Sequence, residues 1–167
     1  GYLSQIVAGV HMHAVLNLSC LSGPTEGAAA PIPMENVYIA DLSVSAAGLA
    51  NFSVFAPGIA RSRFQRLQID SARTAGLSIG YGWCNYVEFC YFGGNGVGLH
   101  TYNSADNIDV LDCIFEGNTG TGIYMSGGAQ YNIIGNVLEG NGGPGIIVFG
   151  AEGVTISSNY YESNNDK

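Results

Sequence analysis

The chain has 167 residues, enough for one domain with a substantial core. Its 25 glycines lack the strict three-residue period of collagen, and only 11% of residues are charged, as a turn-rich protein with buried strand faces would show. With 13 Asp and Glu against five Lys and Arg, the formal charge of −8 argues against a phosphate-backbone partner, so nucleic-acid binding is not expected.

In chain order, residues 6–18 are apolar but interrupted by Gly9, His11, His13 and Asn17. The stretch is too short for a membrane span and has no basic segment before it, so it reads as a first strand pair or cap. His11 and His13 alternate with Val10, Met12 and Ala14 and share one strand face. Without an identifiable third ligand they form a polar face, and no metal site is expected. Residues 22–33, rich in Gly, Ala and Pro, form a loop. Residues 1–35 are thus a leader and loop ahead of the repeat at 36–167. Asn17-Leu18-Ser19 and Asn51-Phe52-Ser53 match the glycosylation acceptor, which matters only in a eukaryotic secretory setting. The chain opens on Gly1 and ends at Lys167 in an incomplete rung, as a piece of a longer protein would.

From about residue 37 the sequence repeats. Cys90-Tyr91-Phe92-Gly93-Gly94-Asn95, Cys113-Ile114-Phe115-Glu116-Gly117-Asn118, Asn136-Val137-Leu138-Glu139-Gly140-Asn141 and Asn159-Tyr160-Tyr161-Glu162-Ser163-Asn164 follow one another at steps of 23 residues. A unit this short cannot bury a face alone, so neighbours must stack. Within each unit the apolar residues alternate, as in Ile108-x-Val110, Cys113-x-Phe115 and Ile123-x-Met125, between Gly, Asn and Ser clusters. That pattern predicts several short strands per unit and no helix.

The second half repeats as Gly76-Leu77-Ser78-Ile79, Gly98-Leu99-His100-Thr101, Gly122-Ile123-Tyr124-Met125 and Gly145-Ile146-Ile147-Val148. Parallel strands ordinarily need a crossover helix, but a coil that pairs each strand with its equivalent one turn away does not. Further back, Ile39, Leu42 and Val44 align with Phe64, Leu67 and Ile69, and these with Val87, Cys90 and Phe92, at steps of 25 and then 23. The expected fold is all-β, a parallel β-helix of about six rungs of about 23 residues. At ~4.8 Å per rung the rod would be roughly 30 Å long.

The column Leu42, Leu67, Cys90, Cys113, Asn136 and Asn159 points inward by alternation. Buried Asn side chains in register can pass amide hydrogen bonds from rung to rung, so Cys90, Cys113, Asn136 and Asn159 form a structural ladder. The two cysteines read as stacked buried thiols, with a disulfide left open because their Cα atoms would be close enough. Cys20, Cys84, Cys90 and Cys113 show no metal-ligand spacing.

Val154-Thr155-Ile156-Ser157-Ser158-Asn159-Tyr160-Tyr161-Glu162-Ser163-Asn164 and Asn132-Ile133-Ile134-Gly135-Asn136-Val137-Leu138-Glu139-Gly140-Asn141 resemble the repeats of right-handed parallel β-helices of the pectate-lyase-like superfamily. The resemblance covers roughly residues 37–164. It implies a right-handed coil, a polysaccharide partner and an extracellular or virion-surface setting. The implied activities are those of polysaccharide lyases, glycoside hydrolases or tailspike-like binders, although the motif itself records how rungs close and not what they bind.

Two outward columns carry candidate chemistry. The position after the inward Phe, Leu and Tyr column reads Asp70, Gly93, Glu116, Glu139, Glu162. Carboxylates on successive rungs would stand ~5 Å apart, the separation of retaining glycoside hydrolysis, which makes Glu116 and Glu139 candidate catalytic residues. The same oxygens could hold Ca²⁺, with no other cofactor expected, or could be solvated acids repeated because the rung is.

On the other repeated strand Leu99 and Thr101 point in, so His100 and Tyr102 point out, followed on later rungs by Tyr124, Ser126, Ile147 and Phe149. Rings on a flat sheet pack against sugar faces, and a His beside a Tyr can supply base and acid for β-elimination from a uronic acid. His100 and Tyr124 are therefore candidate catalytic residues, and Tyr102, Tyr124, Phe149 and Arg73 candidate carbohydrate-binding residues. Arg61, Arg63, Arg66 and Arg73 are four of the five basic residues, with Arg66 and Arg73 expected on different sides of the rod.

The outward rings also make an apolar patch, and the opposite sheet shows Tyr91, Ile114, Val137 and Tyr160 outward. Such stripes are normally covered by a loop, another subunit or a neighbouring domain. The sequence thus reads as a carbohydrate-binding or polysaccharide-degrading module. The alternative is a non-catalytic structural module that assembles into an oligomer, fibre or surface layer, as a homo-oligomer or within a larger parent chain.

Overall fold

The computed structural model describes residues 4–19 and 32–165. Most of the loop expected over 22–33 lies outside them, as do Cys20 and both chain ends. Every pairing among the described strands is parallel, and each strand meets its counterpart one turn away, as a parallel β-helix requires. Among the described residues there is no helix, and so none long and apolar enough to cross a membrane.

Each turn crosses three faces. The first is a seven-stranded sheet of Ser4–Val7, Leu42–Ser45, Gln68–Asp70, Tyr91–Gly93, Ile114–Glu116, Val137–Glu139 and Tyr160–Glu162. The second holds Met12–Asn17, the first parts of Ala50–Ala60 and Ala75–Glu88, then Val97–Thr101, Ile123–Ser126 and Ile146–Phe149. The third holds Tyr38–Ala40, Arg63–Gln65, the last part of Ala75–Glu88, Ala105–Leu111, Tyr131–Ile134 and Thr155–Ser157. The 14-residue strand Ala75–Glu88 runs unbroken from the second face onto the third.

The leader's two strands do not pair with each other. Ser4–Val7 joins Leu42–Ser45 and Met12–Asn17 joins Ala50–Ala60, both in parallel, which gives the first face its seventh strand.

The corners are made by single residues in the left-handed region. From third face to first they are Asp41, Arg66, Phe89, Asp112, Gly135 and Ser158, and from first to second Ser71, Gly94, Gly117, Gly140 and Ser163. One such residue re-aims the chain without a long loop, and the Gly and Asp at several of these positions tolerate it best.

The core is built of stacked columns. Val44, Ile69, Phe92, Phe115 and Leu138 are fully buried on the first face, and Phe64, Val87, Val110 and Ile133 on the third. Phe92 and Phe115 lie parallel with centroids 4.7 Å apart, so the rung spacing is also the stacking distance of their rings.

The expected ladder is present. Asn136 donates from its backbone N and Nδ2 to Asn159 Oδ1 at 2.9 and 3.0 Å, and from Nδ2 to the Val110 carbonyl at 3.0 Å. Cys113 N donates to Asn136 Oδ1, and Cys90 N donates to Cys113 Sγ at 3.4 Å. Sulfur therefore takes the amide's place, and both thiols are free. Burial holds the Cys113 thiol well above its ordinary range.

Candidate functional site

The second face carries a run of rings. His100, Tyr124 and Ile147 occupy one column, preceded by Ser78 and Phe55. This column begins after glycines such as Gly98, where a Cβ would lie 2.5 Å from the Gly122 carbonyl oxygen and 2.6 Å from the Phe115 ring. The strand can therefore approach its neighbour closely before its side chains begin to alternate.

His100 lies between two phenols. Its ring is 5.6 Å from Tyr102 at an interplanar angle of 22°, and 5.4 Å from Tyr124 at 42°. Burial lowers the His100 pKa and raises that of Tyr102, so both are neutral at pH 7. Thr74, Ala75, Val97, His100 and Tyr124 line an almost wholly apolar cleft of about 250 Å³. Phe149 follows two positions beyond Ile147 on the last rung of this face and is 68% exposed.

The environments of four residues of this face escaped the sequence reading. His13, which reads from sequence as part of a polar face, packs edge-on against Phe52 at 5.1 Å and Phe55 at 4.8 Å, and those two rings stack at 4.9 Å. Ser78, between Phe55 and His100, is buried, and its Oγ has no hydrogen-bond partner among the described residues. The only sequence signal for the first cluster is the Phe52-x-x-Phe55 pair, whose partner in the leader lies outside the 23-residue step.

Arg73 sits where the first face turns into the second, two residues before Ala75 of the cleft. It lines a shallow groove floored by Gly48, Ser71, Gly94, Gly96 and Thr119. The other three arginines are held in ion pairs, Arg61 with Glu35 at 3.2 Å, Arg63 with Glu88 at 3.0 Å and Arg66 with Asp41 at 2.6 Å. Among the described residues Arg73 has no such partner. Arg66 lies at the corner between the third and first faces, so the two do stand on different sides of the rod.

Glu116 and Glu139 are on the first face, in register with Gly93 before them and Glu162 after. Tyr91 Oη donates to Glu116 at 3.2 Å and Tyr160 Oη to Glu162 at 2.6 Å. Burial, then the Glu116 charge, raises the Tyr91 pKa, and the hydrogen bond to Glu162 raises that of Tyr160. The acid column is interrupted at Gly93, where the Tyr91 ring folds across the backbone at 2.5 Å from where a Cβ would lie. Among the described residues no three His, Cys, Asp or Glu side chains converge as a metal site would need. The candidate catalytic residues thus fall into two groups on different faces, and Glu116 and Glu139 cannot act on a substrate seated at His100 and Tyr124.

No curated protein and no solved structure matches the chain. A family model described as the right-handed β-helix region matches residues 34–167, four-fifths of the sequence and all of the coil beyond the leader. On that match, and on the three parallel faces it coincides with, the chain belongs to the right-handed β-helix family.

Proposed function

We propose that the chain is a carbohydrate-binding β-helix module whose second face is the saccharide platform. The observation that carries this reading is the His100, Tyr102 and Tyr124 ring group beside an apolar cleft. Neutral, partly desolvated rings on a flat sheet suit the apolar face of a sugar, and their N and O–H groups remain available for its hydroxyls. The column from Phe55 to Ile147 covers four rung steps, roughly 19 Å at ~4.8 Å each, enough for several sugar units.

Should the bound glycan also be cleaved, the second face has the parts for β-elimination from a uronic acid. Neutral His100 would take the proton beside the carboxyl group, Tyr124 would protonate the departing oxygen, and Arg73 would neutralise the carboxylate. Arg73 stands at the corner and not in the ring column, so binding is the better supported half of the proposal. Such a module would work outside the cell or on a virion surface.

The test is calorimetric titration of neutral and acidic oligosaccharides into the protein and its Tyr124→Ala and Arg73→Ala variants, with ultraviolet absorbance followed for unsaturated product. Saturable binding that Tyr124→Ala removes is expected. Absence of binding across the whole panel, or binding that Tyr124→Ala leaves intact, would sink the platform. A second reading, a structural module that docks other chains, is favoured by the first face, where Ile114 is 41% and Tyr160 54% exposed.

A further inference from the structure

Two outward columns run side by side along the first face. One is apolar, Tyr91, Ile114, Val137 and Tyr160, and the other acidic, Asp70, Glu116, Glu139 and Glu162, broken only at Gly93. Neither is covered by the described chain. At the corner beside them Phe89 is held in the left-handed region at φ 53° with 55% of its surface exposed. A bulky side chain there strains the backbone, and an exposed ring recovers little of that strain in the free protein. Phe89 lines a groove of about 420 Å³ together with Tyr91, Ile114, Leu67 and Asp112, continuous with the apolar column.

The charges indicate what this face meets. Among the described residues none of Asp70, Glu116, Glu139 and Glu162 is in an ion pair, and Arg61, Arg63 and Arg66 are committed to Glu35, Glu88 and Asp41. A second copy could bring only Arg73 from its described residues, and two first faces set together would oppose like carboxylates. The described residues of a second copy hold no row of free cations to match this column, so the partner is a different chain.

Spacing selects the form of that chain. Glu116 to Glu162 is two rung steps, ~9.6 Å at ~4.8 Å each. Helical positions i and i+7 are ~10.5 Å apart along the axis, within the reach of flexible Lys stems. Alternate residues of an extended strand advance ~6.7 Å, so two such steps give ~13 Å and lose register. The apolar column spans three rung steps, ~14 Å, about three turns of helix.

We infer that the first face docks a basic amphipathic α-helix of a partner protein. Its apolar row lies on Tyr91, Ile114, Val137 and Tyr160, its Lys or Arg row lies on Glu116, Glu139 and Glu162, and one apolar side chain enters the groove beside Phe89. This goes beyond the glycan reading and uses a different face.

The test uses a fluorescein-labelled helical peptide of about five turns, with a Leu row beside a Lys row, titrated into the whole chain and read by fluorescence anisotropy at physiological salt. Saturable binding is expected. It should weaken about tenfold or more in the triple variant Glu116→Gln, Glu139→Gln, Glu162→Gln, and likewise in Ile114→Ser. Tyr124→Ala on the second face should leave it unchanged, which separates this outcome from that of the glycan test. Phe89→Asn, which suits the left-handed corner, should weaken binding while the fold stays intact by circular dichroism. The inference is overturned if the triple variant binds as the parent does, or if a scrambled peptide of the same composition binds equally. It is also overturned if sedimentation shows a dimer of the free protein that Ile114→Ser dissociates, since a second copy would then hold the face.

Discussion

Asn118→Ala should destabilise the coil far more than Asn164→Ala, although both remove the same side chain from one ladder. Asn118 Oδ1 accepts from Asn95 N at 3.0 Å and Asn95 Nδ2 at 3.1 Å, while its Nδ2 donates to the Phe92 carbonyl at 3.1 Å and to Asn141 Oδ1 at 2.9 Å. After truncation Asn95 Nδ2 keeps the Ile69 carbonyl and Asn141 Oδ1 keeps Asn118 N. The buried Asn95 N–H loses its partner outright. One orphaned buried donor costs about 1–3 kcal/mol, and the lost bonds and small void bring the total to about 3 kcal/mol. Asn164 accepts from Asn141 N and Nδ2 and donates to the Leu138 carbonyl, but it is only partly buried, so water can replace the amide and the cost should be about 1 kcal/mol or less. Urea unfolding followed by far-ultraviolet circular dichroism gives both values from the midpoints, provided the slopes agree. Equal losses for the two variants would refute the ladder as the source of stability.

Further outcomes follow from other single residues. Phe89→Gly should raise the free protein's stability by about 1 kcal/mol, because a left-handed corner suits glycine and the exposed ring has little packing to lose, and the urea midpoint reads it. The His100 pKa is lowered in the fold, so between that value and the ordinary 6.5 the unfolded chain binds more protons than the native one. Stability from His100 is therefore complete above about pH 6.5 and falls as pH drops below it, and His100→Gln should flatten the urea midpoint over that window. Cys90 and Cys113 should resist a thiol reagent until the chain unfolds, whereas half-exposed Cys84 reacts in the native state, with labelled positions read by mass spectrometry.

Much of the rod is visible in the sequence, and where it is not the reason is geometric. Cys90, Cys113, Asn136 and Asn159 read as inward because they sit two residues before inward Phe92, Phe115, Leu138 and Tyr161, with only alternation between. Asn95, Asn118, Asn141 and Asn164 share the same repeat and build a second ladder, yet alternation cannot place them. Gly94, Gly117, Gly140 and Ser163 precede them in the left-handed region and reset the parity of the strand. The aromatic cluster of His13, Phe52 and Phe55 is hidden for another reason, since Asn17 pairs with Phe55 across 38 residues and no 23-residue comparison aligns them.

The proposed sites draw on positions where a column changes character without a structural need. Gly93 breaks the acid column, and the Tyr91 ring occupies the space that its missing side chain leaves. Cys113 replaces Asn in the first ladder and keeps its hydrogen bonds through sulfur. His100, Arg73 and Phe89 have no such account. Among the described residues His100 is desolvated without a hydrogen-bond partner, Arg73 stands unpaired while the other arginines are matched, and Phe89 holds a strained corner while exposed. The desolvation of His100 and the strain at Phe89 are costs that the isolated rod does not recover, whereas exposed Arg73 is a charge that water satisfies. His100 and Arg73 flank the cleft of the second face, and Phe89 adjoins the acidic first face, so a glycan on one and a cationic chain on the other would recover the two costs separately.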